Sequence, residues 1–526
     1  MHGKNIIGFQ LHHSSKKQFN TFNPKLNIAN PTPFFEATQN EIDLAVNLAE
    51  NAFPIYSETS PETRCQFLNQ IAKNILELGD ILIESYQNES GLSFSRALAE
   101  RARTIWQIEV FVQQLTHGEW VKASIDTAIK ERKPNPKPDL RKMLSPLGPV
   151  VVFGASNFPL AYSTAGGDTI SALAAGCPVI VKSHPMHAGT GELVAVAIQN
   201  AAKSTQMPEG VFSNLNSNSF EVGTILVSHP KIKAVGFTGS IAGGRALFDL
   251  ANNRPEPIPV FAEMGSVNPV VILPTVLANR PLEIAQTLAN SITLDSGQFC
   301  TNPGLIFAID SPELDVFISH LTHEIVAKKP SYMVHPKILE NFNANKKLLA
   351  NQPNSNFADG VEINDRKNLG QPAIAITSGT TFLANKTLHL EVFGPFSLIV
   401  KCADQAELEN ILANIEGQLT GTIIGNATDL DESNKIISIL KSRVGRLIFN
   451  GVPTGVEVCK SMHHGGPFPA TTNAHFTAVG PDAIIRWTRP ISFQNCPNHL
   501  LPKELQNENP LNILRTIDGE WSRKKI

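Results

Sequence analysis

No two cysteines in this chain are spaced as CxxC, and the six present (Cys65, Cys177, Cys300, Cys402, Cys459, Cys496) are scattered over 526 residues. That argues against a thiolate zinc site or a small disulfide scaffold, and it predicts free thiols in a reducing, cytoplasmic setting. Excess positive charge is also lacking, since 44 Lys plus Arg against 47 Asp plus Glu leave a net charge of −3. Nucleic acid and anionic membrane surfaces are therefore poor partners, and a small molecule is the expected one. No uninterrupted apolar run reaches the roughly 18 residues of a membrane span, and the N-terminal stretch lacks an apolar core of signal-peptide length. The groupings His184 with His187 and His463 with His464 have no carboxylate or thiolate companions at ligand spacing, so no metal is expected.

What the chain does have is 42% hydrophobic residues, enough for about three domain-sized units. Residues 41–52 and 62–78 repeat apolar positions every three or four residues and predict amphipathic helices that cover a sheet. The segment Lys133-Pro134-Asn135-Pro136-Lys137-Pro138 cannot continue a helix and predicts an extended connection or hairpin at a domain edge. From residue 150, strand and helix patterns alternate through strands at 150–154, 178–182, 211–215, 234–238 and 259–263, which indicates a doubly wound α/β unit. A second α/β series starts at 267 and includes a strand at 397–402, helices near 406–414 and 434–441, and the stretch 421–425. Glu263 thus falls at a junction between units, and a cleft there is the expected site. Residues 484–493 predict a strand leading into a polar tail.

Two motifs carry chemistry. Cys300 lies in Gly297-Gln298-Phe299-Cys300-Thr301-Asn302, and Glu263 lies upstream in Glu263-Met264-Gly265-Ser266, followed by Asn268-Pro269. A thiol beside a small hydroxyl residue can attack a small electrophile, and a carboxylate ending an apolar strand is placed to activate water against the resulting thioester. Gly239-Ser240, with Gly244 after it, sits at a strand-to-helix turn whose free N–H groups can take a pyrophosphate, although the pattern departs from GxGxxG.

Together with Asn157-Phe158-Pro159, Phe237-Thr238-Gly239-Ser240 and Glu391-Val392-Phe393-Gly394-Pro395, these motifs occur in the order found in the aldehyde dehydrogenase superfamily, which the chain resembles. The stretch Phe153 to Ala161, Gly166-Gly167-Asp168-Thr169, residues 172–178, Pro453 to Val458 and the segment from His464 to Thr472 resemble the 2,5-dioxopentanoate (α-ketoglutarate semialdehyde) dehydrogenase branch. The resemblance implies a Rossmann-type cofactor domain (1–118 and 147–264), an α/β catalytic domain (265–480) and a β oligomerisation arm with a C-terminal segment (119–146 and 481–526). It also implies a homodimer or homotetramer. By the same resemblance Cys300 is the nucleophile, Asn157 with the Cys300 N–H forms the oxyanion hole, and Glu263 activates the deacylating water. Glu391 and Phe393 are then the residues for the nicotinamide ribose and ring.

At Lys182-Ser183-His184-Pro185, proline stands where NAD-preferring members of that superfamily supply a ribose-binding glutamate. Lys182 and Ser183 are then free to accept a 2'-phosphate, which predicts NADP with NAD as the second cofactor. Phe158, Tyr162 and Phe299 are the expected apolar lining of the aldehyde pocket, and Arg101, Arg103 or His463 the expected donors to a carboxylate tail. The branch implies oxidation of 2,5-dioxopentanoate to 2-oxoglutarate. A fatty or aromatic aldehyde dehydrogenase of the same branch is the alternative, and a catalytically silent scaffold protein is the reading from another class.

Overall fold

The computed structural model describes residues 1–360 and 368–526, so residues 361–367 of the expected catalytic unit lie outside the described part. Five parallel strands form the centre of the first sheet, in the order Val260–Glu263, Ala234–Thr238, Val150–Phe153, Val179–Lys182, Phe212–Leu215. Val150, Val151, Val179, Ile180 and Val181 are fully buried, as expected of strands covered by helices on both faces. Each such side chain contributes about 1.5–3 kcal/mol of transfer free energy. The sheet is extended by an antiparallel ribbon the sequence pattern did not reveal, Asn5–Ile7 with Gln10–His12.

The second sheet orders Asn356–Asp359, Ala373–Ser378, Phe396–Cys402, Leu305–Ile309, Val270–Ile272, Gln418–Ile424 and Val444–Phe449, all parallel except the first. Only residues 264–269 connect the end of Glu263's strand to the start of Val270–Ile272. Six residues span at most about 20 Å, so the C-terminal edge of the first sheet must lie against the N-terminal edge of the second. Backbone bonds close this seam, with Met264 N–H donating to Ala470 and Thr472 N–H to Ala262.

A third, five-stranded sheet joins Thr488–Gln494, Leu140–Pro146, Ser124–Asp126, Arg515–Ile517 and Glu520–Ser522. The proline-spaced segment at 133–138 is the tip of the hairpin between two of these strands, closed by an Ile129–Lys137 bridge. The strand expected at 484–493 is corrected: Pro481–Trp487 is a 3-10 helix and only Thr488–Gln494 pairs. Pro481 starts that turn, and Trp487 is fully buried with its indole N–H donating to Ser171 Oγ, so these residues pack downward instead of extending. The polar tail is not featureless either, because its strands at 515–517 and 520–522 complete this sheet.

Three helices matter for the site. Phe94–His117 starts at Ser93, whose hydroxyl accepts from Arg96 N–H, and stops at Gly118 in the left-handed region (φ 69°). Gly167–Ala175 packs against the strand edge that carries Asn157, and Ile241–Asn252 follows the Gly239 turn. No helix among the described residues is long and apolar enough to cross a membrane.

Candidate active site

Cys300 stands where two cavities meet. One, of about 370 Å³, is lined by Asn157, Gly239, Ser240, Glu263, Glu391, Phe393 and His464 among others. The other, of about 280 Å³, is lined by Arg96, Glu100, Arg103, Phe158, Tyr162, Phe299 and Val456 among others. Cys300, Phe158 and Tyr162 border both.

The loop carrying the thiol is held by unusual backbone. Asp295, Ser296 and Gly297 are three successive left-handed residues (φ 44°, 59° and 61°), and a Cβ at position 297 would lie 2.3 Å from the Gly394 carbonyl oxygen. Asn268, also left-handed (φ 45°), donates from its amide to the carbonyls of Cys300 (2.8 Å) and Asn302 (2.9 Å). Its own oxygen accepts from Ser266 Oγ and Thr420 Oγ1, so both ends of the amide are fixed.

On the opposite wall, Asn157 follows the strand Val150–Phe153 and donates from Nδ2 to the Gln298 carbonyl at 3.0 Å, leaving its second N–H for a ligand. The next turn is clamped by Glu100, which accepts from the Leu160 and Ala161 N–H groups (2.8 and 3.0 Å) and from Tyr86 Oη (2.6 Å). Glu263 ends its strand with a side chain only 8% exposed, and Oε2 has no hydrogen-bond partner among the described residues.

Burial pushes the Glu263 carboxyl up to about 8, with Arg486 opposing and Asp168 adding to the rise. The Cys300 thiol is pushed up to about 12 by burial and by the carboxylates Glu263 and Glu391, against Arg103. His464 lies with Nε2 3.7 Å from Cys300 Sγ, and burial together with Arg446, Arg103, His463 and Arg486 lowers its pKa to about 3, so the ring beside the thiol is neutral.

The larger cavity fits a dinucleotide's nicotinamide end. Gly239 and Ser240 are exposed at the start of the helix Ile241–Asn252, and the Glu391 carboxyl, pushed up to about 7 by burial, accepts only a long 3.4 Å bond from Ser266 N–H. A Cβ at Gly265 would fall 2.5 Å from Glu391 Oε2, so the glycine makes room for that carboxylate.

The sequence profile described as the Aldehyde dehydrogenase family matches residues 11–468. The chain belongs to that family. An alpha-ketoglutaric semialdehyde dehydrogenase 2 from Azospirillum brasilense is 46% identical over 98% of this chain and 99% of its own length. An alpha-ketoglutaric semialdehyde dehydrogenase from Acinetobacter baylyi is 44% identical over 92% of each. Among solved structures, a 1-pyrroline-5-carboxylate dehydrogenase from Thermus with bound NAD superposes with a TM-score of 0.79 at 20% identity, covering 94% of this chain and 92% of that one, a likeness of fold.

Within this aldehyde dehydrogenase, several expected residues sit elsewhere than supposed. Gly244 does not face the phosphate turn: a Cβ there would meet Met264 Sδ at 2.6 Å, so its bareness serves helix-on-strand packing. Ser183 is 1% exposed and turned toward Gly191, so its hydroxyl is not open to a ligand. Lys182 donates from Nζ to the Ser217 carbonyl at 2.9 Å, and burial lowers its pKa to about 8 against the pull of Glu36. Glu36 itself grips the same loop, accepting from Asn218 N–H and Ser219 Oγ.

Arg101 leaves the pocket and donates to the Gly79 carbonyl, because it lies two residues, or about 200° of helix, from Arg103. His463 lines neither cavity, and its neighbour His464 does. Arg96 was missed, although it is seven positions before Arg103 and so shares its helix face with Glu100 and Arg103. It stacks on Phe158 and Phe299 (4.4 and 4.8 Å) and pairs with Glu100 and Asp295.

Proposed function

We propose that the enzyme oxidises α-ketoglutaric semialdehyde (2,5-dioxopentanoate) to 2-oxoglutarate with a nicotinamide dinucleotide, through a thioester on Cys300. The observation that carries this reading is the single thiol shared by a cavity that fits the nicotinamide end of a dinucleotide and a second cavity containing an arginine with spare donors. The names of the two relatives at 46% and 44% identity support the substrate.

In this mechanism the aldehyde enters along Phe158, Tyr162 and Phe299, and the Cys300 thiol gives up its proton to water in the cavity as its sulfur bonds to the carbonyl carbon. The free N–H of Asn157 and the Cys300 N–H receive the oxyanion. The bound nicotinamide supplies the acceptor for the hydride that leaves the carbonyl carbon. Glu263 then takes a proton from water as the water oxygen attacks the thioester, and the acid departs as the thiol re-forms.

Arg103 is the donor for the keto-acid end. Arg96 is already paired with two carboxylates, whereas Arg103 donates only to neutral groups, the Val456 carbonyl and Tyr162 Oη, and keeps a buried Nε with no partner among the described residues. A charge-assisted hydrogen bond contributes about 1.5–3 kcal/mol, so Arg103→Ala is expected to lower kcat/KM for 2,5-dioxopentanoate about ten- to a hundredfold and to leave hexanal nearly untouched. Steady-state rates over 2,5-dioxopentanoate, succinate semialdehyde and hexanal test this; hexanal as best substrate with no selective loss for the acids makes the fatty aldehyde reading correct.

For the cofactor, we infer that NADP is used at least as well as NAD, since Pro185 offers no carboxylate and Lys182 offers a cation. Glu36 is the counterweight beside it. Lys182→Ala should raise the KM for NADP more than that for NAD, and Glu36→Gln should shift use toward NADP. A wild-type preference for NAD above about tenfold, 1.4 kcal/mol, rejects the inference. We further propose the cofactor, catalytic and arm divisions at 1–118 with 147–264, 265–480, and 119–146 with 481–526. In this scheme the five-stranded sheet serves as the contact of a homodimer or tetramer, and six free cysteines suit the cytoplasm.

A further inference from the structure

Close enough to Glu263 to act on its charge lies a buried ion pair that the mechanism above does not use. Arg486 is 2% exposed and donates from Nη2 to Asp168 Oδ1 at 2.6 Å. Its Nε donates to the Ala483 carbonyl, but Nη1 is buried without a partner among the described residues. Glu263 Oε2 is orphaned in the same way. A buried guanidinium N–H and a buried carboxylate oxygen, each unsatisfied, are costly apart and complementary together.

The sheet places them on one face. Gly236 pairs with Phe261 and Thr238 with Glu263, so Phe261 and Glu263 project to the same side, two residues apart. Arg486 lies over the Phe261 ring (5.9 Å), and a Cβ at Gly236 would fall 2.8 Å from Asp168 Oδ2. The bare glycine therefore seats Asp168 on the sheet, Asp168 seats Arg486 over Phe261, and the free Nη1 belongs to the layer into which Glu263 projects. Backbone pairing of Glu263 to Thr238 on one side and Thr471 on the other leaves only its side chain free to turn.

We propose that Arg486, held by Asp168, is a positioning residue for Glu263: its free N–H receives the carboxylate when that group turns away from Cys300, and the pair together sets how readily Glu263 takes a proton from water. The proposal rests on the thioester reading of Cys300. The charged and titratable groups around Glu263 are Cys300, Tyr162, Glu391 and His464, which line its cavity, and Arg486 and Asp168, which act on its charge.

The test uses the full-length enzyme and the variants Asp168→Asn, Arg486→Met and Arg486→Lys, with 2,5-dioxopentanoate as substrate. Two quantities are read: the pre-steady-state burst of reduced cofactor, and the decay of acid-quenched acyl-enzyme against pH. Removing a nearby charge shifts a carboxyl by about one unit or more. Asp168→Asn should therefore move the acid limb of deacylation about one unit down, and Arg486→Met about one unit up. Arg486→Lys should restore the limb toward wild type, and the burst should persist in every folded variant. If Arg486→Met does not fold, a limb displaced about one unit down in Asp168→Asn while Arg486→Lys stays near wild type carries the same prediction. A limb that stays in place, or moves the same way in all variants, overturns the proposal. Absence of a burst in the wild type would instead overturn the thioester reading on which it stands.

Discussion

Cys300→Ala should reduce aldehyde oxidation by at least about a thousandfold, the scale on which loss of a covalent nucleophile acts, while the melting temperature stays near that of the wild type. The thiol is a partly exposed group on a loop whose shape is set by Asn268 and by the left-handed run Asp295 to Gly297, and none of those hydrogen bonds uses sulfur. Cofactor binding, followed by titration, should survive because Gly239, Ser240 and Glu391 are untouched. Appreciable reduced cofactor from the variant would remove Cys300 from the chemistry.

Glu263→Gln should separate the two half-reactions. Hydride transfer needs no base at this position, so a burst of reduced cofactor is expected to persist, followed by turnover slowed about a hundred- to ten-thousandfold, the usual contribution of a general base. The pH dependence has a definite sign. Burial raises the Glu263 carboxyl to about 8, so the form able to accept a proton grows as pH rises through that value; wild-type deacylation should climb between pH 6 and 9, and the Gln variant should be flat. The same shift acts on stability. A carboxyl whose folded pKa lies above its unfolded value stabilises the fold below the unfolded pKa and loses that contribution as pH rises toward 8, so Glu263→Gln should be the more heat-stable protein above pH 8. Equal loss of burst and turnover would contradict the water-activating role.

The parallel strands and the motifs on them were legible because the information is local. Buried apolar runs end at Phe153, Thr238 and Glu263, with Asn157 four residues past the first, and short-range pattern suffices to place each near a strand end. Where the same pattern failed, long-range contacts decided. Residues 5–12 are too short a run to read as strands by themselves, and take that form because Asn5–Ile7 pairs with Phe212–Leu215 and Gln10–His12 folds back on it. Residues 484–487 read as the start of a strand, yet Arg486 and Trp487 are drawn onto the helix Gly167–Ala175. In the site, helix phase could have exchanged Arg101 for Arg96, since 96, 100 and 103 share a face. No sequence signal distinguishes His463 from His464, because their loop has no period and only its packing under Thr477 turns one ring inward. Likewise Glu36 lies far from Lys182 along the chain and meets it only through the loop 217–219.

Cys300 belongs to one sheet, and Asn157 and Glu263 belong to the other, joined by residues 264–269, a few backbone bonds and side-chain contacts such as Arg96–Asp295 and Asn157–Gln298. Either layer can keep its core while the seam opens by a fraction of the global unfolding free energy. Catalysis is thus the least cooperative property of the molecule: it reports the fit between two halves, each of which can be intact by every spectroscopic measure after turnover has ceased. Heat inactivation is accordingly a measurement of the seam, and selection for thermal tolerance in this enzyme acts first on the few residues that cross it.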